Sequence, residues 1–333
     1  MEAIIETNAL SRRFGKTLAV DGLDMRVERG EIFGLVGPDG AGKTTTIRML
    51  AGIMEPTAGS ARVLGYDIVS DAEAIKKRMG YMAQQFSLYG DLTVAENIDF
   101  YADIFALEGA EREATIERLL AFSQLSSFTE RRAADLSGGM QKKLALACAL
   151  LHKPAVLILD EPTTGVDPVS RREFWGILTE LHLQEVTILL STPYMDEAER
   201  CSRVGMMYRG KLIVCDTPER IKGMVSGVLI ELRPAPSAVD YGQALRDVRT
   251  ALSSSNSVQK VHIYGDLVRV FVEDAETGMD AVANVLASAG IAFTDLRETS
   301  PRMEDVFISL IREAGATDPD AEALLLANDS FSR

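Results

Sequence analysis

Gly37-Pro38-Asp39-Gly40-Ala41-Gly42-Lys43-Thr44-Thr45 stands between two short runs of different character. Before it comes Ile32-Phe33-Gly34-Leu35-Val36, apolar and of strand length, and after it comes Thr46-Ile47-Arg48-Met49-Leu50, which reads as a helix. Strand, glycine loop and helix in that order are the context a phosphate-binding loop requires. Gly37, Gly40 and Gly42 leave room for backbone amides to face phosphate oxygens. Lys43 is then placed to reach β- and γ-phosphates, and the Thr44 hydroxyl to bind Mg²⁺.

Working outward, Leu136-Ser137-Gly138-Gly139-Met140 precedes the run QKKLALACALL. Ser137 can cap a helix whose first amides and positive dipole end point at whatever lies in front of them, and a triphosphate is the natural guest. Taken alone, a Ser-Gly-Gly turn before an ordinary helix explains the pentapeptide equally well. A third element is Ala155-Val156-Leu157-Ile158-Leu159, which runs into Asp160 and Glu161. It reads as a buried parallel strand that delivers two carboxylates at its carboxyl end.

P-loop, glutamine loop, LSGGM and a strand ending in Asp-Glu, in that order, resemble the ATPase subunits of ABC transporters over roughly the first two-thirds of the chain. The resemblance implies an α/β fold: a P-loop NTPase domain of ABC type with a RecA-like core, an antiparallel β subdomain and a helical subdomain. It also implies roles residue by residue. Phe14 matches the aromatic that stacks on adenine, although a core Phe is the competing reading. Together with Gly37 to Thr45 it forms the expected ATP site. Gln84, rather than its neighbour Gln85, matches the glutamine that touches Mg²⁺ and the attacking water. Asp160 would hold Mg²⁺ and Glu161 would act as general base, since phosphoryl transfer needs charge neutralised and the nucleophile oriented in line. The catalytic set is therefore Glu161, Gln84 and Lys43, and the metal set Thr44, Gln84 and Asp160. Asp167 matches the loop that crosses between paired ATPase domains, and it equally fits a helix cap before Pro168.

Three positions depart from the family pattern. Asp39 stands where most relatives carry Asn, and Met140 replaces the commoner Gln of the signature. The larger departure follows Glu185-Val186-Thr187-Ile188-Leu189-Leu190, where the run is Ser191-Thr192-Pro193-Tyr194-Met195-Asp196-Glu197-Ala198-Glu199. Pro193 occupies the place of the switch histidine, with neither a side-chain donor nor a backbone N–H. Losing one transition-state donor costs about 3 kcal/mol, or two to three powers of ten in turnover. Thr192 and Tyr194 are the neighbours that could supply part of it. The expectation is a site that binds ATP and hydrolyses it poorly, in an exporter of multidrug or antibiotic type. The expected partners are a second ABC ATPase domain, with a heterologous consensus chain favoured over a homodimer, and membrane permease subunits.

The chain has 333 residues, 47% of them hydrophobic, and a formal net charge of −14. Such a charge repels nucleic acid, so no nucleic-acid partner is expected. No apolar stretch is long enough to span a bilayer, and the three cysteines are too scattered for a disulfide frame. A cytoplasmic protein held at the inner face of the membrane through its permease is the resulting expectation. The segment from Leu92 to about 152 reads as the helical subdomain, with Thr93 and Glu96 as a capping box. Beyond 224 the order strand-helix-strand-strand-helix-strand, with a Gly265-Asp266 turn, suggests a small α+β ferredoxin-like domain over 225–313, followed by a tail over 314–333.

Overall fold

The computed structural model describes residues 2–224, 227–235, 241–255 and 257–313, and the tail expected over 314–333 lies outside the described residues. These residues form two compact units that divide at Pro218, ahead of the boundary expected at 224. The chain opens with β1 (Ala3–Phe14), β2 (Thr17–Leu23), β3 (Arg26–Glu28), β4 (Ile32–Val36) and α1 (Lys43–Leu50). Next come β5 (Ala58–Val63), β6 (Tyr66–Asp67), α2 (Ala72–Lys76), β7 (Met79–Met82), α3 (Val94–Ile104), α4 (Gly109–Phe122) and α5 (Gly138–Leu150). They are followed by β8 (Val156–Asp160), α6 (Pro168–Leu183), β9 (Thr187–Thr192), α7 (Met195–Ala198), β10 (Arg203–Tyr208), β11 (Lys211–Asp216) and α8 (Pro218–Lys222).

The first unit is an α/β domain built on two sheets. Its central sheet runs β11-β10-β4-β9-β8-β7, parallel except for β11. Every residue of β4, β8 and β9 is buried, as strands covered on both faces must be. Because these strands are parallel to β7, the loops after β4, β7, β8 and β9 emerge on one edge, where open α/β sheets bind ligands. A second, antiparallel sheet runs β2-β1-β5-β6, with β3 paired to β1. The two share a core that includes Ile5, Leu10, Phe33, Leu35, Ile47, Ile158 and Leu189.

In the helical segment Thr93 and Glu96 form the expected reciprocal cap of α3: the Glu96 amide donates to Thr93 Oγ1 at 3.1 Å, and the Thr93 amide to Glu96 Oε2 at 2.7 Å. Such a cap contributes about 1 kcal/mol. Asn97, fully buried one turn on, accepts from the Tyr89 amide and donates to the carbonyls of Tyr89 and Thr93. It thereby fixes the loop that carries exposed Tyr89 beside exposed Phe100, their rings 4.8 Å apart.

The second unit contains β12 (Val228–Pro234), α9 (Tyr241–Ser253), β13 (Lys260–Tyr264), β14 (Leu267–Val272), α10 (Ala275–Ser288), β15 (Phe293–Thr299) and α11 (Met303–Glu313). Its antiparallel sheet has the order β13-β14-β12-β15, which is a ferredoxin-like arrangement. Gly265, at φ +57°, supplies the left-handed residue of the two-residue hairpin between β13 and β14. Ile230, Leu232, Val268 and Val270 form a core with Leu245, Val248, Leu252, Val282 and Leu286 of the helices. The last strand begins at Phe293, since the Ile291 amide donates to Leu286 O and closes α10. Among the described residues no helix is long and apolar enough to cross a membrane.

Candidate nucleotide-binding site

The loop between β4 and α1 is pressed against its surroundings. A Cβ on Gly37 would lie 2.2 Å from Met207 O, and one on Gly42, at φ +105°, 2.4 Å from Ala19 O. Only glycine permits that approach. Lys43 opens α1 and is buried: its Nζ donates to Gly37 O at 2.8 Å and Pro38 O at 3.1 Å, and lies 3.3 Å from Glu161 Oε1. Pro38 and Ala41 are buried, Thr44 and Thr45 half-buried, and Asp39 and Gly40 exposed at the apex. Exposure resolves the Asp39 anomaly, since its carboxylate is solvated rather than held among buried groups.

At the end of β8, fully buried Asp160 accepts at Oδ1 from Thr44 Oγ1 at 2.9 Å and from Ser191 Oγ at 2.8 Å. Its Oδ2 is buried with no hydrogen-bond partner among the described residues. Glu161 follows with φ +46°, a left-handed conformation that costs a non-glycine residue about 1–3 kcal/mol. Its Oε2 accepts from Gln84 Nε2 at 2.8 Å and from Thr164 Oγ1 at 3.2 Å, while its amide donates to Ser191 Oγ at 3.0 Å. Gln84 is half-buried in the cluster and Gln85 is exposed. The orphaned Asp160 oxygen, the Thr44 hydroxyl and the Gln84 amide oxygen are hard oxygen donors, a set that fits Mg²⁺.

Pro193 is buried directly after β9, and the carbonyl of Thr192 accepts from the Gly37 amide at 3.3 Å, so the switch segment abuts the P-loop. Both neighbouring side chains turn elsewhere. Thr192 Oγ1 donates to Glu197 Oε2 at 2.6 Å, and the Tyr194 ring lies under the Arg171 guanidinium, 4.4 Å away. Glu197 is fully buried and also accepts from Thr163 Oγ1, Arg171 Nε and Trp175 Nε1 at 2.7, 2.7 and 3.0 Å. Asp167 caps α6, accepting from the amides of Val169 and Ser170, each at 3.0 Å. Hydrogen bonds from Ser170 and Val169 hold its carboxyl below the usual range.

The Leu136–Met140 turn forms the start of α5. Leu136 is buried, Ser137 and Gly138 are exposed, Gly139 is buried and Met140 half-buried. Ser137 Oγ accepts from the Met140 amide at 3.3 Å. A Cβ on Gly139 would meet Ser170 Cβ at 2.4 Å, so the start of α5 rests on the start of α6. Phe14 is 44% exposed beneath the Arg12 guanidinium, 4.8 Å from the ring centroid, and is therefore no core residue. The structure thus brings Lys43, Thr44, Gln84, Asp160 and Glu161 into one cluster. No hydrogen bond or ion pair among the described residues joins Phe14 or the Leu136–Met140 turn to it.

Sequence reasoning missed three members of this region: Ser191, which joins Asp160 to the Glu161 backbone; Glu197; and Lys142. Buried Lys142 donates from Nζ to Gln84 O at 2.6 Å. Burial pushes its ammonium below the usual lysine value, against the opposing pull of Asp160 and Glu161. Nothing local in Gln141-Lys142-Lys143 distinguishes Lys142 from its neighbours.

A family model described as ABC transporter matches residues 20–164. The Nod factor export ATP-binding protein I of Paraburkholderia xenovorans is 40% identical over 276 residues, which is 83% of this chain and 88% of that protein. The chain belongs to the ATP-binding proteins of ABC transporters. Among other members, the probable multidrug ABC transporter ATP-binding protein YbhF of Escherichia coli is 41% identical over 326 residues, or 97% of this chain. The match covers only 55% of YbhF, so the chain spans little more than half of that relative's length. A solved ATP-binding subunit of an ABC transporter superimposes with a TM-score of 0.61 at 30% identity, over 66% of this chain and 92% of its own. The cluster of Lys43, Asp160 and Glu161 therefore lies within an ABC ATPase fold.

Proposed function

We propose that this chain is the ATP-binding and ATP-hydrolysing subunit of an ABC exporter, with its own site impaired and its signature turn lent to a partner. The observation that carries the reading is the buried cluster of Lys43, Thr44, Gln84, Asp160 and Glu161 at the carboxyl edge of a parallel sheet. ATP would lie along Gly37–Thr45 with adenine on Phe14, whose ring is 44% exposed and carries the Arg12 guanidinium over one face. Lys43 exchanges the Gly37 and Pro38 carbonyls for phosphate oxygens. Thr44, Asp160 and Gln84 would hold Mg²⁺, which when bound would neutralise phosphoryl charge. Glu161 orients the attacking water and accepts its proton, with Gln84 steadying the carboxylate.

Impairment follows from Pro193, because Thr192 and Tyr194 are both committed to other partners. Single-turnover hydrolysis with protein in excess tests it. Pro193→His is expected to raise the rate by about 10²- to 10³-fold with ATP affinity little changed, and equal rates would count against impairment. Pairing with a consensus ATPase chain is supported by the exposed Ser137 and Gly138, which leave the α5 amides open to an incoming triphosphate. A stable ATP-dependent homodimer of full activity, with no preference for a second chain, would overturn it. Exposed Tyr89, Phe100 and Ile104 offer a permease an apolar contact on the cytoplasmic side of the membrane. The names of the relatives support export, and drugs or related amphiphiles as cargo.

An ATP-binding regulator without appreciable turnover is the second reading, favoured by the diverted side chains of Thr192 and Tyr194. No single-turnover hydrolysis in the wild type and no gain in Pro193→His would select it.

A further inference from the structure

Two half-sites occupy the first unit, the carboxylate cluster at the strand ends and the Leu136–Met140 turn, and one side chain joins the elements that carry them. Lys142 lies within the first turns of α5, on the same rigid helix as Gly138 and Gly139. It is 8% exposed, and its Nζ donates to the carbonyl of Gln84, whose own amide donates to Glu161. The path is continuous from the signature helix, through Lys142, to the residue that faces the carboxylates.

An ammonium is an expensive group to bury, and a methionine of similar length would fill the same space without that cost. The charge is therefore retained for the bond it makes. Lys143 provides an internal contrast. It is equally buried, yet its Nζ turns to Glu173 at 2.5 Å and Gln124 at 3.0 Å, neither of them in the carboxylate cluster. Two adjacent buried lysines thus serve different ends: one braces α5 against α6 and the end of α4, and the other holds the segment after β7.

We propose that Lys142 is a positioning residue that fixes Gln84 against Glu161 and couples that arrangement to the helix bearing the Leu136–Met140 turn. The hydrolytic part of the proposal rests on the roles given above to Gln84 and Glu161. A shift of α5, such as engagement of its N-terminus by a partner's nucleotide imposes, is transmitted to the Gln84 carbonyl and alters how its amide meets Glu161. Binding at one half-site is thereby registered at the other within a single chain.

Hydrogen–deuterium exchange on the full chain reads the tether directly. Lys142→Met is expected to accelerate exchange over residues 83–87 severalfold, Lys142→Arg to restore much of the protection, and Lys143→Met to leave that segment as in the wild type. In single-turnover hydrolysis Lys142→Met should slow the rate by about tenfold, in keeping with loss of one hydrogen bond from a charged donor, while ATP affinity stays within about twofold. The double variant Lys142→Met/Gln84→Ala should be no slower than Gln84→Ala alone. Unchanged exchange in Lys142→Met, or rates that add in the double variant, overturns the proposal. A Gln84→Ala rate equal to the wild type overturns the hydrolytic role of Gln84 instead, and the exchange measurement then decides by itself whether Lys142 holds the segment.

Discussion

Each compact unit buries a cluster of ionisable side chains, and the two clusters differ in how completely they are satisfied. At the strand ends of the first unit, Asp160 keeps an oxygen without a partner among the described residues, Glu161 sits in the left-handed region, and Lys43 spends its donors on loop carbonyls. In the second unit Arg269, 1% exposed, donates from Nε and Nη2 to Glu231 Oε2 and from Nη1 to Asp305 Oδ2 at 2.8 Å. Glu231 Oε1 takes Arg297 Nη2 at 2.8 Å, and Asp305 Oδ2 also accepts the Arg302 amide at 2.9 Å. Burial pushes the Glu231 carboxyl up, but Arg297 and Arg269 outweigh it and hold the group below its usual value. Similar chemistry therefore serves two ends. A saturated cluster fixes β12, β14 and α11 together, whereas an unsaturated, strained one keeps capacity for a ligand.

Removing a member from each cluster should separate these roles. Glu161→Gln is expected to lower single-turnover hydrolysis by about 10²- to 10⁴-fold while ATP affinity and thermal midpoint change little. A large loss of stability with hydrolysis retained would place Glu161 with the scaffold. Arg269→Met should do the reverse. It removes the guanidinium that two buried carboxylates share and should cost about 3–5 kcal/mol in urea unfolding of the second unit, with ATP affinity of the first unit unchanged. A variant as stable as the wild type would mean that the second cluster is not structural. A smaller effect is expected at the Leu136–Met140 turn: Met140→Gln should leave hydrolysis in the proposed paired complex within about twofold, because the side chain is half-buried beside the Ser137 cap and the proposed phosphate contact would be made by Ser137, Gly138 and Gly139.

Much of this arrangement is legible locally, and the remainder is set by contacts distant in sequence. The P-loop, the Asp160-Glu161 strand end and the Thr93–Glu96 cap lie within spans of a few residues, and local geometry makes each nearly self-sufficient. Ser191 is different: an ordinary Ser at the end of an apolar strand acquires its role only when β9 pairs with β8 and brings it to Asp160, 31 residues away in sequence. Lys142 and Gln84 are 58 residues apart. In the second unit, Glu231 of β12 and Arg269 of β14 each stand between apolar neighbours. Alternation turns them to the face opposite Ile230 and Leu232, where α11 supplies Asp305. Phe14 illustrates the reverse case: in the sequence, stacking and core packing are both open, and its exposure removes only the core reading.

His152 tests whether an orphaned buried atom is enough to mark a site. Its Nδ1 lacks a partner among the described residues, as Asp160 Oδ2 does, but its surroundings are those of a packed core edge. The ring stacks on Phe105 at 4.0 Å and its Nε2 lies 3.2 Å from Met79 O. Burial pushes the imidazole below the usual histidine value, and the Met79 carbonyl restores only part of the shift. With the folded value depressed, the unfolded chain takes up the proton first as pH falls. Folding stability attributable to His152 is then full above the unfolded value, near 6.5, and declines as pH drops below it. Replacing the ring with an uncharged amide, His152→Asn, should flatten the dependence of the urea midpoint on pH between about 7.5 and 5.5 and leave ATP affinity unchanged. A steeper dependence in the variant would reverse the sign argued here. A loss of ATP affinity would move His152 into the class of Asp160, and an unpartnered buried atom would then by itself be a marker of the site.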